Sequence, residues 1–172
     1  MNSWPNMPAG YVVNVSSVDC KRRLADEALM TSCSLDFDCG FRRAASHEAV
    51  QIDLIVRQAM LEICGRPGLS FAPSSFAAEI ATVESEIIGV AAFSGEELTC
   101  LYVMGRFRNS GVGTCLLHNA MLFGVRTALI PSANVRLKTF FVHRRWCAGK
   151  ETFTETGDGV VRKFVMHCGV HN

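Results

Sequence analysis

Apolar residues at Val50, Ile52, Ile55, Val56, Ala59, Met60 and Ile63 recur at helical spacing and predict an amphipathic helix. Ser46 stands where its N-cap is expected, Glu48 falls in its first turn, and Gly65, Pro67 and Gly68 end it. Just upstream, Phe41-Arg-Arg-Ala-Ala45 reads as a short strand end, and residues 66–78 read as loop or a very short helix. The period then changes. Glu79 to Val83 and Glu86 to Phe93 predict two strands around Glu84-Ser85, and Ser94-Gly95-Glu96 is the next turn. Leu98 to Val103 is a continuous apolar run, the mark of a central strand. Residues 104–110 read as a loop. A helix opens at Gly111, with Val112, Leu116, Ala120 and Phe123 on one stripe. Thr127 to Pro131 predicts a strand and Asn134 to His143 a helix. Trp146 to Glu155 and Val160 to Cys168 predict a hairpin across Thr156-Gly-Asp-Gly159. From residue 40 the order is strand, helix, three strands, helix, strand, helix, two strands. That order implies an α/β (α+β) domain, a mixed sheet covered by helices.

Residues 1–39 break this pattern. Pro5, Pro8, Gly10 and scattered polar residues surround one short helical candidate, Asp19 to Met30. They read as a partly ordered N-terminal extension to a domain at 40–172, and Met30 offers a second start. The length of 172 residues suits one domain with such an appendage. Apolar residues at 49% and charged residues at 19% exclude a disordered chain. No apolar run approaches the ~20 residues that cross a bilayer. Met-Asn-Ser-Trp-Pro-Asn has no basic or apolar leader character, so a cytoplasmic protein with reduced cysteines is expected. The eight cysteines form no Cys-x-x-Cys pair, and His167-Cys168-Gly-Val-His171 reads as a strand end, so no metal is expected. Cys100 and Cys115 fall in apolar elements, as buried thiols do.

The net charge of +1 hides an asymmetry. Residues 1–100 carry 7 basic and 13 acidic side chains, whereas residues 101–150 carry 8 basic and no acidic ones. Such a block suggests that a polyanion is handled there. Within it, a buried strand from Leu101 runs into the basic loop Gly105-Arg-Phe-Arg108-Asn-Ser-Gly111, which opens the helix at Gly111-Val-Gly113. Helix N-termini leave N–H groups unpaired and carry partial positive charge, and glycines let a phosphate approach. Two nucleotide-binding patterns fail: Cys115-Leu116 occupies the remainder of Gly-x-Gly-x-x-Gly, and Gly-Lys-Ser/Thr is missing.

The segment resembles the GNAT superfamily of acetyl-CoA-dependent N-acetyltransferases, whose signature is Arg/Gln-x-x-Gly-x-Gly/Ala between a fourth strand and a third helix. Arg108-Asn-Ser-Gly111-Val-Gly113 fits it, with Leu-Tyr-Val upstream. Asn134-Val-Arg-Leu-Lys-Thr-Phe140-Phe141 and the following Arg145-Trp146 are similar to the family's Asn-x-x-Ala-x-x-Phe-Tyr/Phe-x-x-x-Gly-Phe. Val161 to Met166 resembles its closing strand and Phe41-Arg-Arg-Ala its start, so the likeness covers residues 40–168. The resemblance implies a mostly antiparallel central sheet flanked by helices, with acetyl-CoA as co-substrate. It implies that the Tyr102–Val103 strand end meets the pantetheine arm. The amides of Asn109, Ser110, Gly111, Val112, Gly113 and Thr114 would hold the pyrophosphate, with Arg108 adding charge. Asn134 would bond the pantetheine side. Phe141 stands where many members have a Tyr that protonates the leaving thiolate, and Arg145-Trp146 replaces Gly-Phe. Phe cannot donate a proton, which leaves water, His143 or Cys115 for that task.

For a base the first choice is Glu97, eleven residues before Arg108, the offset at which some protein-acetylating members place their catalytic Glu. Alternation would put Glu97, Thr99, Leu101 and Val103 on one face unless a bulge intervenes. The expected activity is acetyl transfer to a primary amine, on a small molecule or a protein, by direct attack. A non-catalytic CoA-binding module is the alternative. Nucleic-acid binding is disfavoured, because the basic block lacks interleaved stacking aromatics. No membrane partner is expected, and a homodimer is allowed. The acceptor walls are expected at 64–78 and at the hairpin near 156–159, and the carboxylates of 79–97 favour a cationic amine.

Overall fold

The computed structural model of the chain describes residues 37–64, 77–156 and 159–168. The N-terminal extension with its Asp19–Met30 helix, most of the 66–78 loop and the hairpin tip lie outside these residues. The elements are β1 (Gly40–Arg43), α1 (Ala49–Cys64), β2 (Ala77–Val83), β3 (Glu86–Ser94), β4 (Glu97–Val103), α2 (Val112–Leu122), β5 (Thr127–Pro131), α3 (Val135–Val142), β6 (Trp146–Thr156) and β7 (Gly159–Cys168). Short 3-10 turns precede α1 at Ser46–Glu48 and follow β4 at Gly105–Phe107. Their order is the one the hydrophobic pattern predicts. The strands form one sheet in the order β1-β2-β3-β4-β5-β7-β6, which puts the apolar β4 at its centre. Every pairing is antiparallel except that of β4 with β5. No helix among the described residues is long and apolar enough to cross a membrane.

Each face of the sheet carries its own core. On one, Ile52 and Val56 of α1 are buried against Ile80, Ile87, Val90 and Ala92, with Cys100 partly buried beside them. Val50 of the expected stripe is 71% exposed instead. It lies two residues, about 200° of helix turn, from Ile52 and so points away from the sheet. The side chains of Met60 and Ile63 lie outside the described ones. Ser46 is not the cap either. The Ala45 N–H donates to Glu48 Oε2 at 2.8 Å, and the Arg42 guanidinium donates to both Glu48 oxygens at 2.7 and 2.6 Å. A carboxylate therefore caps this turn, and the Arg42 bonds hold its pKa down to about 2.

On the other face, Val112, Leu116, Leu117 and Ala120 of α2 are fully buried in the larger core, with Ile88, Leu98, Ile130, Phe141 and Met166. Gly89 makes this packing close. A Cβ there would stand 2.9 Å from Leu116 Cδ1 and 3.2 Å from the Tyr102 carbonyl oxygen. The bare backbone of β3 thus lets the first half of α2 lie against the sheet. Cys115 is buried in the same core, 2% exposed. Arg145 has φ of 60°, the left-handed conformation for which the resembled family uses glycine, and it delivers Trp146 into the core against Phe141 at 4.8 Å.

A bulge decides which way β4 presents its residues. Ala92 pairs with Cys100 but Phe93 with Leu98, so Thr99 is the extra residue, and its hydroxyl donates to Ala92 O at 3.0 Å. The parity of the strand reverses there. Leu98, Leu101 and Val103 all pack on the α2 side, and Cys100 on the α1 side. Glu97 consequently shares the α1 side with Cys100 and Tyr102, and not, as simple alternation has it, the side of Leu101 and Val103.

One buried charge makes the fold sensitive to pH. Glu79 on β2 is 3% exposed, and its Oε1 has no hydrogen-bond partner among the described residues. Burial pushes its pKa up to about 7, against the opposing pull of Arg43. A carboxyl whose folded pKa lies above its unfolded value of 4.5 costs stability increasingly as pH rises from one to the other. Glu79→Gln should therefore raise Tm at about pH 8 and leave it near wild type at about pH 4. Melting curves at both values check this, and an equal Tm change at both would contradict it.

Candidate functional site

The central feature is a splay in the sheet. β4 and β5 run parallel but pair only at Glu97 with Thr127 and Leu98 with Ala128. β5 then stays paired along its whole length with β7. From Thr99 to Val103 the edge of β4 turned away from β3 has no strand beside it among the described residues. Leu101, Tyr102 and Val103 of this stretch line a cleft of about 450 Å³, and the Val103 carbonyl, without a strand partner, accepts from Arg108 Nε instead. The two strands are joined where Glu97 meets Thr127 and part toward their carboxyl ends, and the cleft lies at that end of β4. In open sheets ligands bind at such a place.

α2 points its N-terminus into that opening. Gly111, with φ of 92°, caps it without a side-chain bond, and the Thr114 and Cys115 N–H groups return to the Gly111 carbonyl at 2.9 and 3.1 Å. The N–H groups of Val112 and Gly113 precede the first helical bond and have no intrahelical partner. Gly111, Gly113 and Thr114 line the cleft. A Cβ on Gly113 would meet the Phe140 ring and Val103 Cγ2 at 3.5 Å, so the bare residue keeps this end of the cleft open. Unpaired amides at the positive end of a helix make an anion site.

α3 forms the opposite wall. Asn134 caps it, its Oδ1 accepting from the Leu137 N–H at 3.0 Å, which leaves the Nδ2 donors for the cleft. Arg136, Leu137, Phe140, His143 and Arg144 follow on the cleft side. The Arg144 guanidinium lies 3.6 Å from the Phe140 ring centroid. It donates to the Phe140 carbonyl at 2.9 Å, and through Nε and Nη2 to the Thr114 hydroxyl. It so fastens the end of α3 to the first turn of α2 beside these amides.

Of the residues singled out in the sequence, the cleft brings together Tyr102, Val103, Arg108, Asn109, Gly111, Gly113, Thr114 and Asn134. Arg108 takes an unexpected direction. Its Nε donates to Val103 O at 2.8 Å, its Nη2 to Glu62 Oε2 at 3.2 Å, and its guanidinium lies over the Tyr102 ring. It is committed to the α1 side of β4, not to the helix N-terminus. Ser110 turns inward, its hydroxyl donating to Phe107 O at 2.6 Å. The Val112 side chain is core, leaving only its backbone to the site.

Phe141 is fully buried and is absent from the cleft wall. One residue is 100° of helix turn, and that step separates Phe140, on the cleft, from Phe141, in the core. Cys115 is likewise core, which leaves His143 as the member of the proton-donor pair on the wall. Glu97 sits where the two strands are joined, in register with Thr127, and does not line the cleft. Arg136, Phe140, Arg144 and Glu62 were missed as site residues. For the two arginines the signal was present in the basic block, combined with the helical spacing of 136, 140 and 144. For Glu62 there was none, because α1 reaches the cleft only through the tertiary fold.

No family model matches the sequence, and no curated protein matches it. The fold does match solved structures. The apo form of YjaB from Escherichia coli superposes with a TM-score of 0.63 at 16% identity, over 78% of this chain and 100% of that one. A GNAT-family acetyltransferase from Streptococcus pneumoniae gives 0.57 at 12% identity, over 74% and 97%. The putative acetyltransferase yncA from Salmonella typhimurium, solved with its cofactor acetyl-CoA, gives 0.56 at 13% identity, over 79% and 97%. At these identities the shared property is the architecture: the chain has the GNAT acetyltransferase fold.

Proposed function

We infer that the protein is an acyltransferase that binds acetyl-CoA in the β4–β5 cleft and transfers the acetyl group to a primary amine. The observation that carries this reading is the unpartnered edge of β4 running straight to the glycine-bearing N-terminus of α2. It offers extended backbone for a pantetheine arm and unpaired amides for a pyrophosphate in one continuous groove. The acetyl-CoA bound to the similarly folded yncA supports it. Asn109, Gly111, Gly113 and Thr114 would surround the pyrophosphate, and Arg136 and Arg144 would face the remaining phosphate charge. Asn134, the Leu101 backbone and the Val103 N–H on the open edge of β4 would hold the arm.

Acetyl-CoA supplies an acetyl thioester. The amine nitrogen forms the new amide bond, the carbon–sulfur bond breaks, and the amine's proton must leave. Backbone N–H groups on the open edge of β4 would polarise the thioester carbonyl. A thiol has a pKa of ~8.5, so thiolate departs without strict acid help, and His143 on the wall would supply the proton. Glu97 lies four residues of β4, ~13 Å, from Leu101, the residue deepest in the cleft wall. Glu97 does not line the cleft, so as base it would act through a relay of waters.

Acetyl-CoA should raise Tm, because an anion binds amides left unpaired without it. At 100-fold over Kd the gain is ~2.7 kcal/mol. Gly113→Asp fits the space beside Phe140 and sets a negative charge against the phosphates. It should abolish the shift without lowering the Tm of the unliganded protein by much. A full shift in this variant would remove the anion from α2. Acetyl-CoA binding with no turnover of any amine would leave the non-catalytic module as the better reading.

The base is tested separately. Glu97→Gln should leave the acetyl-CoA shift intact and lower turnover most at low pH, with partial recovery as pH approaches the amine's own pKa. Glu96→Gln should be nearly silent. A pH-independent loss in both variants, read from pH–rate profiles, would place the base elsewhere.

A further inference from the structure

The cleft wall is cationic with one exception. Arg108, Arg136 and Arg144 contribute to it, and Glu62 is the one carboxylate among the described residues that does. It comes from the last turn of α1, on the side of the sheet opposite α2. Its side chain is 42% exposed. Oε2 accepts one bond from Arg108 at 3.2 Å, and Oε1 has no partner among the described residues. Arg108 does not depend on that bond for its place, since Val103 O and the Tyr102 ring hold it already. A long, half-exposed ion pair with a single bond contributes little to stability, so Glu62 can exchange its partner.

The two sides of β4 thus differ in what they present. On the α2 side stand the helix N-terminal amides, with Arg136 and Arg144 on the facing wall and no carboxylate among the described residues. On the α1 side, Arg108 is held by Val103 O and the Tyr102 ring, and Glu62 stands beside it with Oε1 unbonded among the described residues. With phosphates met by Arg136 and Arg144, Glu62 Oε1 is the anionic acceptor that the described wall offers an incoming amine. Its Arg108 partner ties it to the Tyr102 ring and Val103 O at the carboxyl end of β4, while the reacting nitrogen must enter between β4 and β5. The charge it meets therefore sits further back on the acceptor than the nitrogen being acylated. Resting on the acetyl-transfer reading above, we propose that Glu62 is a specificity-determining residue that recognises a second positive charge on the acceptor amine. The acceptor class is then a diamine, a polyamine or an amine beside a basic side chain.

Butylamine, putrescine and γ-aminobutyrate test this, because they share one primary amine and one chain length and differ only in the far group: neutral, cationic or anionic. Each is titrated calorimetrically into the CoA-saturated protein, and kcat/KM is measured with acetyl-CoA. Putrescine should bind best and γ-aminobutyrate worst. Glu62→Gln should reduce the preference for putrescine over butylamine by roughly tenfold, in KM and not in kcat. Glu62→Lys should reverse the order in favour of γ-aminobutyrate. The acetyl-CoA-induced Tm shift should persist in both variants. If wild type binds the three alike or not at all, or if its order survives in both variants, the proposal is overturned. If Glu62→Gln instead loses the acetyl-CoA shift, the residue only anchors α1 to the loop, and that too overturns it. Failure of the acetyl-transfer reading is seen separately, as the absence of any acetyl-CoA shift in wild type.

Discussion

The structure turns on two parallel strands that begin together and part. β4 and β5 share two residue pairs and then separate, because β5 takes β7 as its lasting partner. A parallel pair is joined by a crossover, here α2, and the crossover leaves the far ends free. The cost of parting is a row of backbone groups on β4 with no strand to satisfy them. A protein keeps such an edge at the centre of its sheet only where something else can meet those groups. The same crossover brings the N-terminus of α2 to the place where the strands have separated.

The rest of the site follows from how closely α2 and α3 approach this opening. Gly89 lets α2 settle on β3, and Gly113 leaves room beside Phe140. Arg144 ties the two helices through Thr114 and the Phe140 carbonyl. Two polar residues already serve the fold while lining the cleft. Asn134 caps α3 with its carbonyl oxygen and keeps its amide donors, and Arg108 closes the end of β4 through Val103. Such double duty fixes the side chains before any ligand arrives, so little conformational entropy remains to be lost on binding.

Electrostatics divide the cleft by side. Between residues 101 and 150 the chain carries cations and no carboxylate, which suits phosphate. Among the described residues the one carboxylate on the wall is supplied by α1, an element from the acidic first part of the chain. In the proposed reading, donor and acceptor recognition fall to different segments of sequence.

Hydrophobic period alone determined the element order, and the boundaries of β5 and α2 follow from Thr127–Pro131 and from Gly111 almost to the residue. The glycine-bearing loop and the helix it opens were legible for the same reason: strand, loop and helix start are contiguous in the chain. What the chain could not show by itself is where parity breaks and where elements meet. The Thr99 bulge moved Glu97 to the other side of β4, and no residue type at that position announces it. Phe140 and Phe141 are chemically identical neighbours, and only the docking of α3 on Trp146 sends one to the core and the other to the cleft. Ser46 lost the cap to Glu48 because Arg42, on β1, stands within reach of the carboxylate. Glu62 reached the cleft because α1 lies across the sheet. Local sequence sets period and turn chemistry, whereas the side a residue faces and the partner it meets depend on pairing between segments far apart in the chain.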